Sequence, residues 1–343
     1  MKKISFTLLI AVMSLAVGGC SVDAGSVSVN STNVIPEHGP VDQVSGVVRQ
    51  AMRGKRIGWV PVGLGIPLTE NWTSELKRGF EQLGAQLLVR DAGWDAGRMP
   101  DIVDGLINAR VDALVLHNPD VGVLTSQIQR AKQEGIYVIT LNMMPSQQSD
   151  AFVGGDFQSM GSALAQRVVR DCKASGRSKV AAIDGYGTDG ASVAARSGWE
   201  RVLKDAGVEL VSEQSANYLP DNANKIARTV LQQQPDLCAF LGNFDTMMQG
   251  ASAAVAQTGK TGQIGVYTID ASAPSCANIK AGTLTAAVSY GVPAMGDTVV
   301  AMVQSMIQSG VAPGSTRSAI FMPYQIVDRS NVDDVSLACY SKQ

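Results

Sequence analysis

From Lys55 onward the chain alternates short apolar runs with longer segments in which apolar residues recur at helical spacing. The first run, RIGWVPVG at 56–63, is followed by a segment over about 69–83 with one apolar face, which predicts a strand and then a helix. Strands and helices in this alternation predict right-handed crossovers and a parallel sheet with helices on both faces. This rhythm constrains the fold more than any other feature of the sequence.

The rhythm occurs in two series. The predicted strands of the first series are 56–63, 86–92, 113–118 and 137–142, and those of the second are 179–185, 209–214, 238–243, 266–270 and 284–291. With 343 residues the chain is long enough for two domains of ordinary size. We therefore predict an α/β fold of two doubly wound parallel-sheet lobes with a ligand cleft between them, because ligands bind outside the carboxyl ends of such strands.

The end of the chain is too short for a third domain, since it offers one further helix and two extended runs around 319–328. We predict that it crosses back to the first lobe near Gly291 and to the second near Pro323. Lobe 1 is then 51–155 plus 292–322, and lobe 2 is 156–291 plus 323–343.

The N-terminus has the pattern of an export signal. Two lysines precede an apolar stretch at 4–17 that is too short to span a bilayer comfortably. The stretch ends in Val-Gly-Gly before Cys20, a pattern that resembles the lipobox of bacterial lipoproteins. We predict a lipoprotein signal peptide over 1–20, with Cys20 as the lipidation site; the alternative is ordinary cleavage near Gly19.

Residues 21–50 are rich in Ser, Val, Gly and Asn without a sustained period, which indicates a flexible tether. The folded body is therefore expected in the periplasm or cell envelope, anchored to the membrane by its lipid alone. In an oxidising compartment the four later cysteines allow one or two disulfides. Cys238 lies in an apolar run and is interpreted as a buried thiol, so we expect Cys276 to pair with Cys339 if only one bridge forms.

Composition and motifs argue against several function classes. A net charge of −2 offers no basic surface for nucleic acid. The sequence has no Walker, HExxH or GxSxG motif and only two histidines, so we expect neither catalysis nor a metal or other cofactor. Asp184 and Asp189 near the GYGTDG run are interpreted as turn residues rather than an acid pair.

Four long stretches carry a resemblance to a known family: IGWVPVG with TENWTSELKRGFEQLG, ALVLHNPDVGVLTSQIQRAKQEGIYVITLN, FLGNFDTMMQGASAAVAQTGK and VYTIDASAPSCANIKAGTLTAAVSYG. Together they resemble the periplasmic sugar-binding proteins of ABC transporters, of the ribose-binding branch, and the related effector domains of LacI-type repressors. The resemblance implies the type I periplasmic binding protein fold and a monomer that delivers its ligand to an ABC permease. A repressor would need a helix-turn-helix where the export signal stands.

The resemblance also indicates where the ligand binds. Asp270, at the end of the VYTID run, matches the family's ligand-binding aspartate. The family often has Asp-Arg where this chain has Asn142-Met143, and Asn-Asp where it has Phe244-Asp245. The arginine usual in the second lobe has no clear counterpart. These departures weaken the expectation of a sugar.

Further candidates come from position. Trp72 and Glu70 open the first helix, where the family has an aromatic residue that stacks on the ligand; alternatively Trp72 anchors the helix and Glu70 is an N-terminal helix charge. Asn142 ends an apolar run, where a polar side chain is costly unless it meets a ligand or backbone groups, so we expect it to contact the ligand. We also expect the cleft to be lined by Met143, Tyr218, Phe244, Asp245 and Tyr290, although Met143 and Phe244 could equally be core residues. His117 is interpreted as a hydrogen-bonded turn residue.

We therefore predict an extracytoplasmic solute-binding lipoprotein of an ABC importer, which binds a small sugar or sugar-like molecule by closure of two lobes. The alternatives are an aromatic or heterocyclic ligand in the same fold, a receptor that signals to a sensor kinase or chemoreceptor, and an exported enzyme.

Overall fold

The structure is a computed structural model, and it describes residues 45–47, 50–334 and 339–340. The predicted signal peptide at 1–20, with Cys20, and most of the predicted tether at 21–50 lie outside the described residues. Within the described part of the chain, no helix combines the length and the apolar character needed to cross a membrane.

The first lobe is built on a parallel sheet of six strands. Its strands are β1 (Arg56–Val60), β2 (Gln86–Val89), β3 (Ala113–Leu116), β4 (Tyr137–Leu141), β5 (Ala151–Gly155) and β11 (Ser318–Met322). They are joined in part by α1 (Pro67–Gln82), α2 (Met99–Asn108) and α3 (Thr125–Gln133). The order across the sheet is β11-β5-β4-β3-β1-β2. β3 is buried along its whole length, which explains why it appears in the sequence as an unbroken apolar run.

The second lobe repeats this arrangement. Its strands are β6 (Lys179–Asp184), β7 (Glu209–Ser215), β8 (Ala239–Gly242), β9 (Gly265–Ile269), β10 (Ala286–Tyr290) and β12 (Tyr324–Asp328). Its helices are α4 (Phe157–Ala174), α5 (Gly190–Ala206), α6 (Pro220–Gln233), α7 (Asp245–Gln257) and α8 (Ala273–Ala281). The order is β12-β10-β9-β8-β6-β7, and only the pairing of β12 with β10 is antiparallel. The predicted fold of two doubly wound parallel-sheet lobes is confirmed.

After β10 the chain returns to the first lobe as α9 (Val292–Ser309), which packs against α1. The backbone N–H of Gly296 on α9 donates to the buried Glu75 carboxylate on α1 at 3.0 Å. From β11 the chain then passes through Pro323 to β12 in the second sheet. These crossings support the predicted lobe boundaries, which stay a prediction.

Two disulfides lie in the second lobe, Cys172–Cys238 and Cys276–Cys339. The interpretation of Cys238 as a buried free thiol is wrong, because the last turn of α4 lies beside the start of β8 and brings the two Cα atoms within 5.7 Å. The second bridge ties α8 to the C-terminal residues, where the backbone N–H of Cys339 also donates to the carbonyl of Ala271. It thereby fixes the neighbouring Tyr340 beside the end of β9.

Candidate functional site

A cavity lies between the carboxyl ends of the two sheets. This is the place where parallel α/β sheets bind ligands. Its polar lining consists of His117, Asn142, Asn243 and Asp270, and its aliphatic lining of Val62, Ile66, Leu68, Pro119, Met143 and Ala191. Both lobes therefore contribute residues to one site.

The four polar side chains occupy equivalent positions in the two lobes. His117 directly follows β3 and Asn142 directly follows β4, while Asn243 and Asp270 directly follow β8 and β9. β3 and β4 have the same places in the first sheet as β8 and β9 in the second. The repeated fold thus brings one pair of polar side chains from each lobe to the same cavity.

Asn142 and Asp270 also share an uncommon backbone conformation. Their φ angles are 66° and 83°, in the left-handed region that few residues other than glycine adopt. In each case the residue's N–H still donates to the neighbouring strand, to the carbonyl of Val153 or of Val288, at 2.8 and 2.9 Å. Such a conformation costs energy that the surrounding structure must offset, and residues held in it cluster at binding and active sites.

The carboxylate of Asp270 is only half satisfied. One oxygen, Oδ1, accepts hydrogen bonds from the Tyr340 hydroxyl at 2.6 Å and from the N–H of Ala271 at 2.9 Å. The other, Oδ2, is buried and has no hydrogen-bond partner among the described residues. Burial, with a smaller contribution from the nearby charge of Asp245, holds the pKa of Asp270 well above its usual range. The site therefore offers an acceptor that a ligand can satisfy.

His117 is the polar group opposite in the first lobe. Both of its ring nitrogens are buried, and neither finds a partner in the part of the chain that the structure describes. Burial lowers the pKa of His117 to about 3, so the ring is neutral and can donate one hydrogen bond and accept another. The interpretation of His117 as a hydrogen-bonded turn residue is wrong; its place directly after β3, matching that of Asn142 after β4, is the signal that could have found it.

Asn243 belongs to a polar network of the second lobe and was not among the predicted residues. Its side-chain oxygen accepts from the N–H of Gly185 at 3.0 Å, and its amide nitrogen donates to the Ser192 hydroxyl at 2.9 Å. Asp189 caps α5 through the N–H of Ser192 and accepts the Tyr218 hydroxyl at 2.8 Å. This network fixes the Asn243 amide and the Tyr218 ring at the cavity wall.

Asp189 is thus a helix cap, and burial raises its pKa to about 6. Asp184 is not a turn residue as predicted. It is the buried last residue of β6 and forms an ion pair with Arg196, whose guanidinium also lies 3.3 Å from Glu213. The positive charge of Arg196 is therefore neutralised by these carboxylates.

Aromatic rings form much of the remaining wall: Trp94, Phe157, Tyr186, Tyr218, Phe244 and Tyr290. Tyr218 contacts Tyr186 and Phe244 edge to face, with ring centroids 5.5 and 5.4 Å apart. The Tyr290 hydroxyl donates to the side-chain oxygen of Asn142 at 3.1 Å, which links the end of β10 to the end of β4. The cavity is therefore apolar over most of its surface, with a few fixed polar groups.

Six of the predicted ligand residues meet at this cavity: Asn142, Met143, Tyr218, Phe244, Asp270 and Tyr290. Their contacts with a ligand stay a prediction.

Trp72, Glu70 and Asp245 do not reach the cavity wall. Trp72 is fully buried behind His117, with ring centroids 5.2 Å apart, because it shares a helix face with the core residue Leu76. Glu70 accepts the N–H of Gly65 at 2.9 Å. Asp245 accepts the N–H and hydroxyl of Ser272 behind Asp270.

Residues 57–310 match the family model of the periplasmic binding protein domain. The chain belongs to the periplasmic binding protein family. The predicted family is thus confirmed over most of the described chain.

Two relatives of this periplasmic binding protein are named for sugars. It is 30% identical over 176 residues to the D-ribose/D-allose-binding protein of Pseudomonas aeruginosa, a match that covers 49% of this chain and 54% of that protein. It is 27% identical over 234 residues to the ribose import binding protein RbsB of Bacillus subtilis, covering 66% of this chain and 75% of the relative. The first match thus spans only about half the length of the relative. Both relatives are binding proteins rather than enzymes.

Solved structures show the same fold. The myo-inositol-binding protein of Caulobacter, bound to myo-inositol, superposes with a TM-score of 0.75 at 21% identity, covering 82% of this chain and 95% of that one. The periplasmic binding protein described here therefore has the predicted type I architecture.

Proposed function

We propose that this protein is the extracytoplasmic solute-binding component of an ABC importer and closes its two lobes on one small, sugar-like molecule. The observation that carries the proposal is the convergence of two equivalent polar pairs, one from each lobe, on a single cavity. The sugar-binding relatives support the class of ligand. An ABC permease in the cytoplasmic membrane would receive the ligand.

Contacts across the mouth of the cleft support a closed, ligand-retaining state. The N–H of Val121 in the first lobe donates to the carbonyl of Thr188 in the second at 3.1 Å. The backbone of Met144 in the first lobe lies against Gly190, so closely that a Cβ on that glycine would be 2.4 Å from the Met144 carbonyl oxygen. Closure of this kind buries a ligand and gives a transporter a shape to recognise.

The proposal includes a location outside the cytoplasmic membrane, with a lipid on Cys20 as the anchor and a monomeric body. The sequence of the first twenty residues supports the anchor. The same binding event could instead report to a sensor kinase or chemoreceptor.

One specific observation favours a less sugar-like ligand. Six aromatic side chains line the cavity, and none of the described residues in its wall is an arginine or a lysine. A ring with an apolar face is therefore the second candidate.

Binding can be tested by thermal unfolding of the full chain with pentoses, hexoses, inositols, amino sugars and aromatic acids. A ligand that binds only the folded state increases the free energy of unfolding by about 2.7 kcal/mol at a hundredfold excess over its dissociation constant, and so raises the unfolding temperature. We expect a sugar-like compound to produce the largest shift. Stabilisation by aromatic acids alone would contradict a sugar-like ligand while preserving the binding function.

A further inference from the structure

The charge of the cavity is one-sided. Among the described residues that line it, Asp270 is the only carboxylate, and none is a lysine or an arginine. A second buried carboxylate, Asp245, lies behind Asp270, and its Oδ2 accepts hydrogen bonds from the hydroxyls of Ser272 and Ser275. An ionised Asp270 would thus have no positive counterpart among the described residues of the wall.

The acceptor that a ligand could satisfy is one oxygen of this carboxyl group, Oδ2 of Asp270. The residue is 2% exposed, and Tyr340 and Ala271 serve only the other oxygen. A buried carboxylate with an unpaired oxygen is costly unless a charged or donor group compensates it. A neutral hydroxyl would donate a hydrogen bond but would leave the charge of an ionised Asp270 uncompensated. An ammonium group would donate a hydrogen bond and also compensate that charge.

The aromatic part of the cavity wall also suits a cation. Tyr290 and Phe157 lie edge to face, with ring centroids 5.8 Å apart, and Phe244 completes the aromatic wall. Aromatic faces attract ammonium groups, most strongly where water is excluded. His117 carries no charge that would repel one, because its burial keeps the ring neutral.

We propose that the preferred ligand is a small polyol or sugar that carries a protonated amine, with its ammonium group bound by Oδ2 of Asp270. Its hydroxyl groups then meet Asn142, Asn243 and His117. The proposal rests on the function proposed above, because it specifies the ligand of the same cavity.

The test uses matched pairs of compounds that differ by one amine: glucosamine and glucose, galactosamine and galactose, an aminodeoxyinositol and myo-inositol. Calorimetric titration of the full chain is done at a pH where each amine is protonated. We expect at least one amine to bind about tenfold or more tightly than its neutral parent. Asp270→Asn should weaken the binding of that amine by about thirtyfold or more, because removing one partner of a buried charge pair costs at least about 2 kcal/mol.

The control variant is Asp156→Asn. Asp156 caps α4 through the N–H of Ser159 at 3.0 Å and is not in the cavity wall, and asparagine caps a helix equally well. It removes the same charge near the cleft, and we expect it to leave amine affinity within about threefold of the parent protein. Circular dichroism verifies that both variants are folded.

The outcomes separate this proposal from the function. Neutral parents that bind more tightly than their amines, with equal losses on Asp270→Asn, would overturn the ammonium site and leave the sugar-binding function standing. Absence of binding by every amine and every neutral sugar would overturn both.

Discussion

At the scale of single residues, the site depends on positions directly after strands. Asn142 was identifiable because a polar residue that ends an apolar run needs a partner, and Asp270 because it also matches the family's ligand-binding aspartate. His117 and Asn243 follow β3 and β8 in the same way, but their sequence context offers ordinary turn and strand-end roles as well. What distinguishes them is the lack of partners for His117 and the network around Asn243, and neither is visible before the chain is folded.

Trp72 illustrates the opposite error. Its helical spacing with Leu76 and Phe80 places it on the buried face of α1, where the core fixes it. The expectation of stacking came from family resemblance and overrode this periodicity. The exposed tryptophan at the cavity is Trp94. Its indole packs closely on Gly63, since a Cβ atom placed on that glycine would lie 2.4 Å from the ring.

Trp94 should report ligand binding. It is 37% exposed, while the other three tryptophans, Trp59, Trp72 and Trp199, are fully buried. We expect iodide to quench the fluorescence of Trp94 alone and a bound ligand to reduce that quenching, since Trp94 lines the cavity. Trp94→Phe should abolish the quenchable fraction, whereas Trp199→Phe should leave it unchanged. Quenching that persists in Trp94→Phe would contradict the burial of the other three.

At the scale of elements, the strands and helices were largely predictable, because buried parallel strands appear as apolar runs and the helices have one apolar face. The disulfide of Cys238 was not, since its partner Cys172 is 66 residues away, at the far end of α4. Pairing between distant elements depends on the packing of α4 against the sheet, which local sequence does not encode.

The contact between α1 and α9 should make stability depend on pH. Burial raises the pKa of Glu75 from 4.5 to about 8, opposed by the N–H of Gly296, with the charges of Asp297 and Arg78 close by. The folded state then binds a proton that the unfolded state has lost, so the free energy of unfolding falls as pH rises from about 5 to about 8. Glu75→Gln keeps an acceptor for Gly296 and carries no charge to desolvate.

We therefore expect the stability of Glu75→Gln relative to the parent protein to increase by about 2 to 4 kcal/mol between pH 5 and pH 8, as measured by urea unfolding. Glu81→Gln, on the exposed side of the same helix, is the matched control and should show no such change. Equal pH profiles for the parent and Glu75→Gln would mean that Glu75 is ionised within the folded protein.

At the scale of the whole molecule, function depends on whether the lobes can meet. Gly190 begins α5 in the second lobe and lies against the backbone of Met144 in the first. A Cβ at position 190 would come within 2.4 Å of the Met144 carbonyl oxygen and 3.1 Å of its nitrogen. Backbone atoms cannot yield as a flexible side chain can, so Gly190→Ala should hold the lobes apart while leaving each lobe folded.

We expect Gly190→Ala to weaken the affinity for the most tightly bound compound by about tenfold to a hundredfold, because the polar pairs of the two lobes no longer reach the same ligand. Small-angle scattering should then show that saturating ligand compacts the parent protein but not the variant. Gly187→Ala is the matched control, since a Cβ at that position meets no atom within 4 Å. If Gly190→Ala binds and compacts like the parent, the close approach of Met144 is not required for closure, and the lobes grip the ligand through the cavity residues alone.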